Sequence, residues 1–162
     1  MWYLREEEDS VRRITAYFDG CVEPMNPGGH GSWAFIVRHG DGTTVGIPGY
    51  CGSGPHITNN CMEYRAFLEL LRCLEVLAPS HMVIRGDSKL VVEQMSGRWG
   101  CRAGLYAPLY REALGFLARV RKTHLSIRVQ WVPREENEEA DRLAGQELSK
   151  RGIRIRTHRR AA

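Results

Sequence analysis

The sequence predicts a single α/β domain in which three antiparallel strands are followed by alternating helices and strands. Apolar residues recur at every second position in residues 14–20, and residues 32–38 form a second strand-like segment. From residue 60 onward the apolar period changes to 3.6, which is typical of amphipathic helices. A chain of 162 residues is long enough for one core and too short for two ordinary domains.

The first three predicted strands are joined by short, turn-forming segments. Residues 14–20 form the first strand, and Gly20 at its end allows the chain to turn immediately afterwards. Residues 32–38 form the second strand, and the His-Gly-Asp-Gly sequence at 39–42 predicts a hairpin into a third strand over 43–51. Such tight connections predict an antiparallel meander.

The second half of the chain alternates helices with two further strands. Pro79 and Pro133 end a helix and a strand, respectively, because proline cannot donate a backbone hydrogen bond. The predicted elements are a helix over 60–77, a strand over 81–85, a helix capped by Ser88, a helix over 105–121, a strand over 125–132 and a helix from about Asn137.

Composition and charge exclude several classes of protein. Charged residues interrupt every long apolar run, so neither a transmembrane span nor a secretory signal is predicted. The five cysteines are an odd number without a Cys-x-x-Cys pair, which argues against a disulfide framework or a zinc site and favours a reducing cytosol.

The positive charge of the chain is concentrated at its C-terminal end. Residues 149–162 hold six cations and no acid, whereas the rest of the chain has 17 cations against 19 acids. We therefore divide the chain into a lead-in over 1–13, a domain over 14–148 and a basic tail over 149–162. The tail is either a solubilising end or a sequence-independent contact with phosphates.

Four carboxylates occupy positions from which they could meet. Asp19 belongs to the first strand, and Asp87 directly follows the fourth. Glu63 lies in the first turn of the long helix, and Asp141 lies in the first turns of the last one. If the fourth strand pairs beside the first, Asp19 and Asp87 become neighbours at the carboxyl ends of the two strands. Divalent cations with oxygen ligands would then offset the repulsion between the acids.

Each of these acids also has a purely structural explanation. Asp19 and Asp87 fit Asp-Gly and Asp-Ser turns. The spacing of Asn60 and Glu63 fits a capping box, and Asp141 suits the positive end of a helix dipole. The residues alone leave both explanations open.

Five short motifs follow one another over residues 14–148. They are Tyr17-Phe18-Asp19-Gly20, Asn26-Pro27-Gly28, Thr58-Asn59-Asn60-x-x-Glu63, Gly86-Asp87-Ser88 and Asn137-x-x-x-Asp141-Arg142-Leu143-Ala144. Together they resemble type 1 ribonuclease H of the ribonuclease H-like superfamily, and segments 23–28 and 132–137 resemble its archaeal-type branch. The resemblance implies a ribonuclease H-like catalytic domain over 14–148, with a five-stranded mixed sheet of three antiparallel and then two parallel strands flanked by helices.

The resemblance also implies an activity and a metal centre. The chain is expected to hydrolyse the RNA strand of RNA/DNA hybrids by two-metal-ion catalysis, leaving 5′-phosphate and 3′-hydroxyl ends. Asp19, Glu63, Asp87 and Asp141 are implied to be catalytic and to bind two Mg²⁺ ions, for which Mn²⁺ is a substitute. Asp19 would bridge the two ions, Asp141 would hold the ion that activates water, and the other two acids would hold the ion at the leaving oxygen.

Substrate contacts are implied in the same way. Asn26, Asn59 and Asn60 match family positions that approach the backbone and sugars of the hybrid, and Thr58 matches a position in a phosphate pocket for the DNA strand. Trp99 resembles an aromatic residue near the DNA strand, with core packing as the alternative explanation.

The sequence departs from many family members in two places. The loop over 132–136 lacks the histidine found there in other members, so Arg134 is the nearest substitute, and Asn137 is a second auxiliary candidate. The basic protrusion that some members use to hold the hybrid is also missing, because only residues 100–104 separate Trp99 from the next helix. The basic tail is therefore a candidate source of substrate affinity.

Two other functions remain open from the sequence. The chain could be a metal nuclease of the same fold acting on double-stranded RNA or structured DNA, or a catalytically silent nucleic-acid-binding module. The four mutually repelling acids argue against a silent module. The expected partner is the RNA/DNA hybrid, with no membrane and no obligate protein partner, and the expected location is the cytoplasm.

Overall fold

The protein forms one five-stranded mixed sheet with helices on both faces. The computed structural model describes residues 13–123 and 126–156. Residues 1–12 of the predicted lead-in, 157–162 of the predicted tail and Leu125 of the predicted fifth strand lie outside the described residues. The elements are β1 (Arg13–Glu23), β2 (His30–His39), β3 (Thr44–Ser53), α1 (Asn59–Leu77), β4 (His81–Gly86), α2 (Lys89–Met95), α3 (Ala107–Lys122), β5 (Ser126–Trp131) and α4 (Glu138–Ser149), with a 3-10 turn (Arg134–Glu136) before α4.

The strands lie in the order β3-β2-β1-β4-β5. β1, β2 and β3 pair antiparallel, as predicted for the meander. β4 pairs parallel with β1, up to the pair Tyr17–Arg85, and β5 pairs parallel with β4. The predicted fold class is therefore confirmed, and β1 is the central strand between the antiparallel and parallel halves.

The alternation along β1 assigns its side chains to two different layers. Ile14, Ala16 and Phe18 are buried in the main core with residues of α1, α2 and α3. Tyr17 lies on the other face, where it packs against Ala140 of α4. Asp19 follows Tyr17 by two residues, so the pleat places it on the face that carries α4.

The turn predicted at Gly20 is wrong, because β1 continues through Gly20 to Glu23 and remains paired with β2. Gly20 has a different role. A methyl group at this position would overlap the backbone of Met62 and Glu63 in α1. The absence of a side chain therefore allows α1 to approach β1 closely, directly beside Asp19.

Helix α1 begins one residue earlier than predicted and is capped differently. Thr58 is the N-cap, and its hydroxyl accepts a hydrogen bond from the amide of Cys61 at 3.2 Å. The capping box predicted for Asn60 and Glu63 is therefore wrong, since Thr58 already serves this helix end. The Glu63 side chain is thus available for contacts outside the helix.

Within residues 13–123 and 126–156, no helix combines the length and the apolar character that a membrane crossing requires.

Substitution of Gly20 by alanine should destabilise the fold by about 1–3 kcal/mol, because the added methyl group must displace the backbone of α1. The free energy of unfolding, measured in urea, tests this expectation.

The matched control is Gly145→Ala in α4, where a methyl group would meet no atom within 4 Å. This change should be neutral or should stabilise the protein by up to about 1 kcal/mol, since alanine favours helix. Equal effects of the two substitutions would contradict the close approach at Gly20.

Candidate active site

The four predicted acids line one cavity at the carboxyl ends of β1 and β4. Its volume is about 190 Å³. The lining residues are Asp19, Gly20, Cys21, Val22, Glu23, Asn26, Asn59, Glu63, Asp87, Arg134, Asp141 and Arg156. The acids come from both faces of the sheet, because Glu63 belongs to α1 and Asp141 to α4.

Asp19 lies two residues beyond Tyr17, at the point where β1 and β4 cease to pair. Only 6% of Asp19 is exposed. Asp87 directly follows the last residue of β4, so the parallel register brings it beside Asp19. The predicted neighbourhood of these two acids at adjacent strands is thus present in the structure.

Glu63 is held by two polar side chains, of which Asn59 lines the cavity. The hydroxyl of Ser88, which caps α2, donates to Oε2 of Glu63. The Nδ2 group of Asn59 donates to Oε1 at 3.3 Å. Both carboxylate oxygens of Glu63 are therefore oriented by protein groups.

Asp87 and Asp141 are held by residues of the loop and turn that precede α4. The Nδ2 group of Asn137 donates to Oδ1 of Asp87 at 2.8 Å and to the carbonyl oxygen of Phe18 at 3.0 Å. Asn137 is only 1% exposed, and it ties the start of α4 to β1. Arg134 forms an ion pair with Asp141, with Nη2 at 3.0 Å from Oδ1.

Burial and mutual repulsion make full ionisation of this cluster costly. Burial first, and then the charges of Asp87, Asp141 and Glu63, raise the pKa of Asp19 well above its ordinary value. Burial raises the pKa of Glu63 to about 7, although its hydrogen bond with Ser88 opposes this shift. Cations in the cavity would favour the ionised forms of both side chains.

The cysteine in the cavity is not a nucleophile. Burial, followed by the charges of Glu23 and Asp19, raises the pKa of the Cys21 thiol to about 12. Since only the thiolate is nucleophilic, Cys21 is protonated and unreactive near neutral pH.

The donor chemistry of the cavity fits hard divalent cations. Four carboxylates supply the oxygen ligands that Mg²⁺ and Mn²⁺ prefer, and their mutual repulsion disfavours the ion-free state. In the described part of the chain, however, no three Asp, Glu, His or Cys side chains are already arranged around one point as a ligand set. Ser88, Asn137 and Arg134 each orient one of the acids through a hydrogen bond.

The predicted substrate-contact residues divide into two groups. Asn26 and Asn59 line the cavity, and Oδ1 of Asn26 accepts a hydrogen bond from the amide of Asn59 at 3.0 Å. Thr58 and Asn60 are not among the lining residues. Thr58 serves as the helix cap, while Asn60 is exposed. Trp99 is 46% exposed, so the core-packing explanation for this residue is wrong.

The sequence did not indicate the contact between the C-terminal segment and the cavity. Nε of Arg156 donates to Oε2 of Glu23 at 2.6 Å, across 133 positions of the chain. Glu23 is buried at the end of β1, and Arg156 lines the same cavity as the four acids. Six cations in the tail were the only signal, and that signal did not show where any of them would bind.

Comparison with known proteins identifies relatives of this chain. The family model described as "Reverse transcriptase-like" matches residues 17–146. The bifunctional protein Rv2228c of Mycobacterium tuberculosis is 37% identical over 67% of this chain, which spans only 34% of the length of that relative. A protein named ribonuclease H from Anaeromyxobacter sp. is 32% identical, with 89% of this chain and 83% of the relative covered.

Two solved structures have the same architecture. RNase H1 from the archaeon Halobacterium salinarum aligns with a TM-score of 0.70 and 29% identity, covering 85% of this chain and 98% of the archaeal chain. LC11-RNase H1, solved in complex with an RNA/DNA hybrid, gives the same TM-score and coverage with 25% identity. The family model and these relatives show that the chain belongs to the ribonuclease H-like family.

Proposed function

We propose that this protein is a ribonuclease H, an endonuclease that hydrolyses the RNA strand of RNA/DNA hybrids. The observation that carries the proposal is the convergence of Asp19, Glu63, Asp87 and Asp141 on one cavity. The relatives named ribonuclease H and the hybrid complex of LC11-RNase H1 support the choice of substrate. Water would add to phosphorus while the bond to the 3′-oxygen breaks, leaving a 5′-phosphate and a 3′-hydroxyl.

The same four acids are proposed to hold two Mg²⁺ ions, for which Mn²⁺ can substitute. Bound divalent cations supply a nucleophile at neutral pH and offset the negative charge that develops on the leaving oxygen. Asp19 is the best placed to serve both ions, because it is the most buried of these four acids and lies on the central strand. The all-oxygen donor set of the cavity is the structural support for this assignment.

The neighbouring polar residues position the acids. Asn137 would keep Asp87 and the start of α4 in place through its two hydrogen bonds, and Ser88 would orient Glu63. Arg134 is half-exposed and bound to Asp141. We infer that Arg134 exchanges this ion pair for a phosphate oxygen of the substrate, in place of the histidine that other members carry.

Substrate shape would be recognised beside the acids. Asn26 and Asn59 lie in the cavity wall, and their amide groups would contact the backbone and the 2′-hydroxyl groups of the hybrid. Thr58 and Asn60 lie just outside the cavity and would contact the substrate only where it extends past the rim.

The C-terminal tail is proposed to contribute to substrate affinity. Arg156 is anchored by buried Glu23 at the rim of the cavity, so it presents a cation close to the reacting phosphate. Under this proposal the working site extends beyond the domain predicted over 14–148, and the basic tail takes part in substrate binding.

We further propose that the chain belongs to the archaeal-type branch of type 1 ribonuclease H and acts in the cytosol. The similarity to RNase H1 of Halobacterium salinarum and the absence of histidine from residues 132–136 support the branch assignment. All five cysteines are unpaired thiols, which supports a reducing compartment.

Substitution of Asp19 by asparagine should abolish cleavage of a labelled RNA/DNA hybrid, with a loss of at least about 10³-fold in kcat. Asparagine has nearly the same shape but lacks the charge needed to hold a divalent cation. Rates are measured with Mg²⁺ and with Mn²⁺, and the fold is checked by circular dichroism. The two-metal assignment fails if the folded variant keeps its activity.

A panel of labelled oligonucleotides tests the substrate choice. It contains RNA/DNA, RNA/RNA, DNA/DNA and DNA with one embedded ribonucleotide. Hybrid cleavage should dominate in the wild-type protein. Preferential cleavage of double-stranded RNA or of DNA would favour a different nuclease of the same fold, and binding without any cleavage would favour a silent module.

The acid cluster should make stability depend on pH in the absence of divalent cations. The pKa of Glu63 rises from 4.5 to about 7 on folding, so the folded state binds more protons and stability falls as the pH rises through this window. Glu63→Gln removes the cost of burying this charge. It should therefore raise the unfolding free energy by about 1–3 kcal/mol at pH 8, and by much less at pH 4.

Chelator is present throughout these measurements, and Glu75→Gln on the exposed side of the same helix is the control variant. Added Mg²⁺ should stabilise the wild-type protein more than Glu63→Gln at pH 8. A gain in stability that is the same at both pH values would show that the buried charge of Glu63 is not its source.

Arg156→Ala should raise KM for the hybrid about three- to tenfold while kcat stays nearly constant, because a phosphate contact is lost. The slope of log KM against the logarithm of the salt concentration should also decrease by about one. Arg154→Ala is the matched control, since Arg154 is exposed and does not line the cavity. Equal effects of both variants would mean that the tail acts only through its total charge.

A further inference from the structure

A second cavity lies on the same face of the sheet as Asp19, nearer the start of β1. Its volume is about 220 Å³. The lining residues are Arg13, Thr15, Tyr17, Arg38, His39, Gly40 and Arg85, which include three arginines and no carboxylate. This concentration of positive charge contrasts with the body of the chain before residue 149, in which acids outnumber cations.

The strand registers explain why these arginines meet. Arg13, Thr15 and Tyr17 alternate along β1 and point to one face. Thr15 is paired with Arg38 of β2, and Tyr17 is paired with Arg85 of β4. Three neighbouring strands therefore contribute one arginine each to the same patch, which rests on a rigid part of the sheet.

The aromatic ring of Tyr17 organises two of the guanidinium groups. Cζ of Arg38 lies 5.0 Å from the ring centroid, and Cζ of Arg85 lies 6.0 Å from it. Nη1 of Arg85 also donates to the hydroxyl oxygen of Tyr17 at 3.1 Å. These contacts orient the arginines without neutralising them.

Little negative charge compensates the patch. Arg38 pairs with Glu139 of α4, and both side chains are partly exposed. Within residues 13–123 and 126–156, neither Arg13 nor Arg85 forms an ion pair. Nε of Arg85 is buried and finds no hydrogen-bond partner there. A buried guanidinium N–H without an acceptor is costly.

We propose that this cavity is a phosphate-binding site. One guanidinium group can donate two parallel hydrogen bonds to two oxygen atoms of a phosphate. The hydroxyl groups of Thr15 and Tyr17 are further donors. A bound anion would also offset the repulsion among Arg13, Arg38 and Arg85, which no carboxylate in the cavity lining does. The volume leaves room for a tetrahedral anion, since one water molecule takes up about 30 Å³ of liquid.

The site is separate from the catalytic cavity. Tyr17 lines this cavity, and Ala140 in the first turn of α4 packs against Tyr17. Neither cavity shares a lining residue with the other. The inference therefore stands independently of the proposed nuclease activity, and either one can fail without the other.

The phosphate could belong to a free monoester or to the backbone of a nucleic acid. The 162-residue chain is titrated with inorganic phosphate, with adenosine monophosphate or with a short DNA duplex, and amide signals are followed by NMR. Sodium chloride at matched ionic strength is the reference. Saturable shifts at Thr15, Tyr17, Arg38 and Arg85 are expected with phosphate. Shifts there with the duplex identify a backbone contact, and shifts only with the small ligands identify a free monoester.

Arg38→Ala should weaken phosphate binding about tenfold, because a charge-assisted pair of hydrogen bonds is lost. Glu139→Gln removes the ion pair but keeps the arginine, so it should leave phosphate binding unchanged or make it tighter. Arg13→Ala is a second variant, at an exposed position that should not affect folding. Arg72→Ala, at a paired surface arginine outside the cavity, is the control for total charge.

The proposal is overturned if none of the three ligands produces saturable shifts at these residues. It is also overturned if binding survives unchanged in both Arg38→Ala and Arg13→Ala, or if Arg72→Ala weakens it equally.

Discussion

The repulsion between Asp19 and the three carboxylates near it is the constraint on which the rest of this site depends. Asp19 is almost fully buried on the central strand, and burial together with three neighbouring acids raises its pKa. An arrangement of this kind costs stability unless cations enter the cavity. Its presence in a chain of the ribonuclease H-like family is best explained by a function that needs the charges and supplies the cations.

Contacts on both faces of the sheet hold the acids together. The missing side chain of Gly20 lets α1 approach β1 and brings Glu63 beside Asp19. On the opposite face, buried Asn137 ties the start of α4 to β1 and to Asp87. Three of the acids are oriented individually, by Ser88, Asn137 and Arg134, on a backbone held by the sheet and its helices.

The sequence could predict the order of the elements along the chain and the positions of the acids in them, since alternation, helical period and turn residues are local signals. The pairing of β4 beside β1 was only a condition of the argument, and the five-stranded mixed sheet was implied by the family resemblance. It could not predict that β1 runs through Gly20, because an Asp-Gly pair fits a turn and a strand equally well when the neighbouring helix is unknown. The cap at Thr58 was missed because Asn60 offered a competing pattern. The contact of Arg156 with Glu23 and the patch around Tyr17 depend on strand register and long-range packing, which no local pattern encodes.

The most direct test of the account is anomalous diffraction from crystals of the wild-type protein grown with Mn²⁺. The account predicts manganese in the cavity, in contact with Asp19, and no manganese there in crystals of Asp19→Asn grown under the same conditions. Manganese bound only elsewhere, or an unchanged signal in the variant, would contradict the claim that the acids converge in order to hold divalent cations.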